Sequence, residues 1–546
     1  MFQATKEGTT MTDTPQTPQP ASDAAGRVPY FISTAIPYVN ARPHIGFALE
    51  IIQADTFARY HRQRGEDAYF LTGSDENSLK NVQAAEAEGI ATSALVERNA
   101  AAFEGLRPLL NLSFDQFIRT SADPRHAAGA QKLWEACAAR GDIYQKSYRG
   151  LYCVGCEQFY TPDELTPEGL CPEHLTRPDE IEEENYFFRL SNYGPALLDL
   201  IESGRLRVIP ETRRNEVLSF IRMGLEDFSI SRSVARARNW GVPTPGDPGQ
   251  VMYVWFDALT NYITALDYAT DGPLYRRYWA ESPNRVNAIG KGVIRFHAVY
   301  WPAMLLSAGE PPPSTVFVHG YISVNGQKMS KSLGNTVDAY DLVERYGAEA
   351  VRYYTLREIP ATADADFTYE KFEARYNSDL ANDLGNLLNR AVSMIHRYRG
   401  GTVPAPGAPA PLDAELRAIA DAIPTRVAAS FEAYDPQGAL DAIWELVKRA
   451  NQYVEQNQPW TLAKTAKGGD AEAAGRLDSV LYNLAESLRL LAVHLAPFLP
   501  ATAVGIAEQL GRADAAEVPY QEAVRWGGVA AGSQVGEARP LFPRLQ

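Results

Sequence analysis

Two lysines three positions apart, Lys328 and Lys331, stand in a run of small residues flanked by glycine, from Gly326 to Asn335. A loop of this kind can carry ammonium groups to phosphates as negative charge builds there. Far upstream, His44-Ile45-Gly46 follows the turn Pro37–Pro43 and opens a helix running to about Arg62. A strand feeding a helix start presents free N–H groups and the positive end of the helix dipole to an anion. Gly46 lets a nucleotide approach the backbone closely, and His44 offers a donor to a phosphate oxygen. Each string is common by itself: most K-x-x-K segments are solvated turns, and most histidines at helix starts are surface caps.

A third group has metal-ligand spacing. Cys153-Val154-Gly155-Cys156 is followed after fourteen residues by Cys171-Pro172-Glu173-His174. Three thiols and an imidazole in two knuckles suit tetrahedral Zn2+, and with all four positions filled by protein the site is expected to be structural. A zinc knuckle also occurs in nucleic-acid-binding modules, so the spacing alone leaves that class open. The chain's remaining cysteine is Cys137, which implies no disulfide framework and fits a reducing cytoplasm. A fourth candidate, Asp75, ends the strand-like segment Asp67–Thr72, where open α/β sheets bind ligands.

The elements that must position these groups fall into two sets. Val28–Ile36, Asp67–Thr72, Val286–Ile289 and Ser314–His319 are short apolar runs expected to be buried strands, and Val251–Tyr262 joins a strand to an aromatic cluster. Helical stretches separate them, which implies a doubly wound parallel sheet. Beyond Asn335, Val337–Glu358 is expected to be helical and Ala365–Arg375 a linker. Asn377–Gly511 is amphipathic helix almost throughout, with a loop at Gly400–Pro411. With 546 residues the chain needs about three or four domains. The first residues, rich in Thr, Pro and Ala, are expected to be a disordered tail, with Met11 an alternative start. No apolar run is long enough to span a bilayer. The net charge of -15 neither supports nor excludes RNA binding, which would need local basic patches.

Taken together, the His-Ile-Gly and Lys-Met-Ser-Lys-Ser strings resemble the two signatures of class I aminoacyl-tRNA synthetases. The order of Ala35–Asn40, Cys153–His174, Tyr253–Trp255, Trp301–Leu305, Val324–Gly326, Asn382–Asn386 and Gln458–Trp460 resembles the bacterial methionyl-tRNA synthetase family over about Pro29–Leu545. The resemblance implies an α/β, Rossmann-like doubly wound sheet split by a zinc-bearing connective insertion, followed by an all-α anticodon-binding bundle. The expected divisions are a tail (1–27), the two catalytic halves (28–140 and 251–335), the insertion (141–250), a stem-contact region (336–385), the bundle (386–515) and a C-terminal tail (516–546) that packs back on the body.

It further implies ATP-dependent attachment of L-methionine to initiator and elongator methionine tRNA through methionyl-adenylate, with Mg2+ accompanying ATP. His44, Lys328 and Lys331 match the catalytic signatures, and Gly46, Lys291, His319, Gly320 and Ile322 match the rest of the ATP site. Ile36, Tyr38, Asp75, Trp255, Ala258, Leu259, Tyr262, Val293, Phe296 and His297 match the methionine pocket, Asp75 as partner of the substrate ammonium. Asn386, Arg390 and Trp460 match positions that read the CAU anticodon. Four residues depart from the family pattern: Phe47 replaces a histidine, Asn77-Ser78 replace a segment such as Glu-His-Gly, and Gly292 stands where an acid is common. A monomer in the cytoplasm, without membrane association, is expected.

Three rivals remain on sequence grounds. Synthetases for leucine, isoleucine or valine usually carry an editing insertion too large for the roughly 100 residues between Tyr144 and Val251, and a cysteine enzyme is a further class I alternative. A paralogue without catalysis would explain the departures but not the retained lysine loop and amino-acid pocket. A tRNA-independent nucleotidyltransferase would not need the helical C-terminal region.

Overall fold

The structure, a computed structural model, describes residues 26–329, 334–512 and 518–545. The expected N-terminal tail through residue 25, and Lys331 within the lysine loop, lie outside the described residues; of Lys328 only the backbone is described.

Six strands form the central sheet: β1 (Pro29–Thr34), β2 (Asp67–Ser74), β3 (Gln116–Arg119), β4 (Arg207–Ile209), β5 (Asn284–Gly290) and β6 (Thr315–His319). Their order is β3-β2-β1-β5-β6-β4, and every neighbouring pair is parallel. The doubly wound sheet expected from the split strand pattern is therefore present. Val316, Phe317 and Val318 are wholly buried, as runs covered on both faces must be. Two strands were not legible: Gln116–Arg119, which pairs with β2, and Arg207–Ile209, inside the expected insertion, which returns to pair with β6. At four and three residues, both are too short to show periodicity.

The insertion builds its own antiparallel sheet from Ile143–Cys153, Gln158–Tyr160, Asp179–Phe188 and Phe228–Ser229. Two expectations are corrected elsewhere. Ala365–Phe367, read as linker, pairs parallel with Ile322–Val324 and is followed by a helix at Tyr369–Arg375. Val337–Glu358 is not one helix but two, Ala339–Tyr346 and Ala348–Arg357, parted at Gly347, whose φ of 84° is easily adopted only by glycine.

The named helices are α1 (Ile45–Gln63), α2 (Leu79–Glu88), α3 (Val254–Thr264), α4 (Ala348–Arg357), α5 (Asn386–Arg399), α6 (Pro411–Glu432), α7 (Pro436–Asn457), α8 (Pro459–Lys467) and α9 (Ala471–Leu495). Helices α5 to α9 form the C-terminal bundle, and no helix among the described residues is long and apolar enough to cross a membrane. The chain end packs back as expected: Phe542 meets Tyr376 edge-on at 6.0 Å, and the Leu545 N–H donates to Asn377.

The parallel sheet's first helix and the C-terminal bundle are joined through a buried ion pair. Asp55 on α1 takes Arg352 of α4 at 2.8 Å and Arg59 at 2.7 Å, and accepts the Ser113 N–H and hydroxyl at 2.6 and 2.7 Å. Arg352 also donates to the carbonyls of Phe498, Pro497 and Leu110. Burial pushes the Asp55 carboxyl up, but Arg352 and Arg59 outweigh it and hold the group below its ordinary value. A carboxyl depressed in the fold contributes stability above its unfolded pKa and loses it as pH falls through the folded one. Replacing Arg352 by Met is therefore expected to cost about 3–5 kcal/mol in a urea melt and to move acid unfolding to higher pH. An unchanged melt would deny the pair its structural role.

Candidate active site

A cavity of about 450 Å³ opens at the carboxyl ends of β1, β5 and β6. At its base α3 contributes Trp255, Ala258, Leu259 and Tyr262, all facing the cavity. Their i, i+3, i+4, i+7 spacing is one helix face. The segment was expected to be strand and aromatic packing; its strand ends at Met252 and the aromatic run is helix.

Trp255 stacks flat on Phe296, with ring centroids 3.7 Å apart. The Tyr262 hydroxyl lies 2.7 Å from His297 Nε2, while His297 Nδ1 lies 2.9 Å from the Val293 carbonyl. A carbonyl can only accept, so the imidazole proton sits on Nδ1 and Tyr262 donates to Nε2. Burial pulls the His297 pKa down to about 4, against the Val293 hydrogen bond.

Ile36, Tyr38 and Val293 line the same cavity. Asp75 lies behind it: its N–H donates to Pro37 at 2.9 Å, and it bridges Tyr38 backbone to backbone. Burial raises its carboxyl well above the usual range, and Asp257 and Glu157 raise it further. Asp75 Oδ1, the Tyr38 hydroxyl and Trp255 Nε1 are all buried without a hydrogen-bond partner among the described residues. Three orphaned polar atoms around one apolar cavity are what a small ligand with a cationic or polar head would satisfy.

The other end of the cavity has a different chemistry. His44 caps α1, and its Nδ1 accepts the Gly46 N–H at 3.0 Å. This changes one expectation: the Gly46 amide is taken by the cap rather than left open to an anion. His44, Gly46, His319, Gly320 and Ile322 all line this end, as does Met329, which brings the lysine loop to the cavity wall. Its neighbours Gln327–Lys328 form a hairpin with Ile322–Val324. Lys291 lies outside the lining and pairs with Asp364 at 2.6 Å.

The departures have local partners. Phe47 packs edge-to-face on Phe103 at 5.0 Å. Asn77 donates to Asp257 at 2.8 Å. Ser78 caps α2 and donates to Glu157, the residue after Cys156. Glu157 also accepts the Lys80 N–H at 3.2 Å, and its carbonyl accepts the Tyr253 hydroxyl, joining the cysteine knuckle to the pocket. Sequence reasoning passed over Glu157, Lys80 and Glu50. The Lys80 ammonium sits 4.9 Å from the Tyr38 ring centre, and Glu50 accepts from or pairs with His319 Nε2 at 2.8 Å. Glu50 was findable, one helical turn beyond Gly46; a lone Glu after a cysteine carries no such signal.

Cys153, Cys156, Cys171 and His174 converge, their ligand atoms all within 4.8 Å of one another. Cys156 Sγ lies 3.3 Å from Cys171 Sγ and 3.2 Å from His174 Nδ1. A tetrahedral Zn–S site has edges of about 3.8 Å, so the donor set and spacing fit a metal ion. Gly155 leaves room for the His174 ring, which a Cβ would meet at 2.6 Å. In the bundle, Asn386 and Arg390 lie on α5, and the Arg390 guanidinium is 6.0 Å from the ring centre of Trp460, which is 44% exposed rather than buried as bundle core.

The split parallel sheet, the capped His-Ile-Gly helix start and the lysine-loop hairpin around one cavity define a class I aminoacyl-tRNA synthetase. The family model for class I tRNA synthetases (M) matches residues 30–180 and 175–392, and that for the anticodon binding domain of methionyl tRNA ligase matches 403–546. The methionine–tRNA ligase of Mycobacterium tuberculosis (strain CDC 1551 / Oshkosh) is 44% identical over 524 residues, covering 95% of this chain and 98% of that one. That of Brucella suis biovar 1 is 44% identical over 526 residues, with 95% and 98% covered. The structure of Mycobacterium tuberculosis methionyl-tRNA synthetase in complex with methionyl-adenylate superposes with a TM-score of 0.90 at 43% identity, covering 95% of this chain and 100% of that chain. The chain belongs to the methionyl-tRNA synthetase family.

Two outcomes follow from this geometry. With His297 neutral, the methionine KM is expected to stay flat between about pH 5.5 and 8; an inflection near the ordinary histidine pKa that vanishes in His297→Gln would contradict this. Replacing Cys153 and Cys171 together by Ser is expected to abolish bound metal and loosen the insertion, read by metal analysis and by proteolysis within 141–250. Unchanged metal content would sink the assignment of these ligands.

Proposed function

We propose that this chain attaches L-methionine to methionine tRNA, initiator and elongator alike, through methionyl-adenylate. The observation that carries this reading is one cavity with two ends: a thioether-sized aromatic pocket backed by the Asp75 carboxyl, whose Oδ1 has no partner among the described residues, and a histidine-capped helix start beside the lysine-loop hairpin.

In the first step a carboxylate oxygen of methionine bonds to the α-phosphorus of ATP, and the bond to the bridging oxygen breaks to release pyrophosphate. The substrate carboxylate is already a nucleophile, so the protein's part is alignment and stabilisation of charge. In this reading Asp75 receives the ammonium, whose charge offsets the penalty that burial places on the carboxylate. Ile36, Tyr38, Trp255, Ala258, Leu259, Val293 and Phe296 enclose the side chain, with Tyr262 and His297 as its polar neighbours. His44 Nε2–H and the ammonium groups of Lys328 and Lys331 meet the phosphates, and Gly46, Lys291, His319, Gly320 and Ile322 complete the nucleotide side. In the second step a ribose hydroxyl at the tRNA 3′ end attacks the activated carbonyl carbon and AMP leaves.

Mg2+ accompanies ATP and offsets phosphate charge. Zn2+ held by Cys153, Cys156, Cys171 and His174 is structural, since protein fills every position. Asn386, Arg390 and Trp460 read the anticodon, in keeping with their shared, partly exposed surface. The divisions at 28–140, 141–250, 251–335, 336–385, 386–515 and 516–546 follow from these roles, with Arg207–Ile209 returning to the catalytic sheet. A cytoplasmic monomer without membrane association completes the reading.

Methionine-dependent ATP–pyrophosphate exchange tests it, with leucine, isoleucine, valine and cysteine as controls, followed by charging of CAU-anticodon tRNA. Exchange with methionine alone, and charging lost on altering the anticodon, is the expected result. Folded, metal-loaded protein that exchanges with no amino acid would be a non-catalytic paralogue.

A further inference from the structure

Gly292 stands where the family commonly has an acid, and the space such a side chain would need is taken. A Cβ built on Gly292 would overlap the Tyr321 hydroxyl and meet its ring carbon at 3.2 Å. Tyr321 lines the cavity between Gly320 and Ile322, at the end away from Trp255 and Tyr262, and is 36% exposed. It is held from two sides. Asp364 accepts the Tyr321 N–H at 2.9 Å and pairs through its other oxygen with Lys291, whose ammonium lies 4.6 Å from the Tyr321 ring centre. The hydroxyl itself has no hydrogen-bond partner among the described residues, so a neutral donor and acceptor stands at the rim of this end of the cavity.

We infer that Tyr321 is a nucleotide-contact residue that replaces the missing acid by hydrogen-bonding a ribose hydroxyl of ATP. The inference rests on the reading of this cavity as the ATP site. The ribose hydroxyls are the nucleotide's neutral donor–acceptor groups, matched to a phenol; the phosphates are matched to the cationic loop and helix start. A carboxylate at 292 and a phenol at 321 both accept from a ribose hydroxyl, which explains why the acid can be absent when the tyrosine occupies its place. Burial pushes the Tyr321 pKa up to about 12, with Glu173 and Asp364 adding to it, so the phenol stays protonated at neutral pH.

Tyr321→Phe keeps the ring and removes the hydroxyl. In methionine-dependent pyrophosphate exchange its KM for ATP is expected to rise roughly two- to tenfold, one hydrogen bond's worth, with the KM for methionine unmoved. The variant is also expected to lose much of the discrimination that the unmodified protein shows between ATP and either 2′-deoxy-ATP or 3′-deoxy-ATP. Preserved discrimination against both analogues, with the ATP KM unchanged, would overturn the inference and leave Tyr321 as packing over Gly292. Should the unmodified protein exchange with no amino acid, the proposed function fails instead; direct binding of ATP and its two deoxy analogues by calorimetry then decides the Tyr321 contact on the same criteria.

Discussion

One carboxylate, Asp55, ties the molecule together. It sits on α1, the helix whose first residues line one end of the cavity, and its partner Arg352 comes from the region beyond the lysine loop. Arg352 spends its remaining donors on the Phe498 and Pro497 carbonyls that close the bundle. Two ions buried in this way are expensive to desolvate, and only a full set of partners makes the arrangement tolerable. Ser113 and Arg59 supply that set on the acid side. The placement of His44 and Gly46 therefore depends on contacts two and a half turns further along the same helix, and through them on the bundle.

The same economy of partners explains the unusual residues around the cavity. Phe47 gains an aromatic neighbour in Phe103 where a polar residue would need a hydrogen-bond partner. Asn77 and Ser78 bind Asp257 and Glu157, so each is a member of a buried polar network. Such networks are stable only when nearly every member is satisfied, and they change as sets. Among the buried polar atoms without a partner in the described residues, those on Asp75, Tyr38 and Trp255 surround the cavity. Asn77 and Ser78 are thus satisfied by the protein itself, while the three atoms on Asp75, Tyr38 and Trp255 are left for a ligand to satisfy.

Much of this was legible in the sequence because local pattern and global fold agree. Buried parallel strands read as apolar runs, the knuckle has fixed spacing, and the bundle helices have strong periodicity. What escaped was of three kinds. Gln116–Arg119, Arg207–Ile209 and Ala365–Phe367 are strands of three or four residues whose pairing is decided by distant partners. Trp255, Ala258, Leu259 and Tyr262 carried a helical period, but their β-branched and aromatic surroundings suggested a strand. Glu157 and Tyr321 have no local signature at all, since one works through Ser78 and Lys80 and the other through the absence of a side chain at Gly292.

The bundle surface has a guarded cation. Arg390 lies near Trp460 but is ion-paired with Glu455 at 2.7 Å. If Arg390 and Trp460 read the anticodon as proposed, the arriving RNA loop would have to displace a carboxylate belonging to the protein itself, in addition to any condensed counterions. Exchange of one anion for another costs little when the newcomer brings phosphate and a stacking base, and more when it brings phosphate alone. Under the proposed anticodon reading, the pair would act as a threshold: generic polyanions would gain less from Arg390 than a loop able to stack on Trp460, so discrimination would begin before any base edge is read.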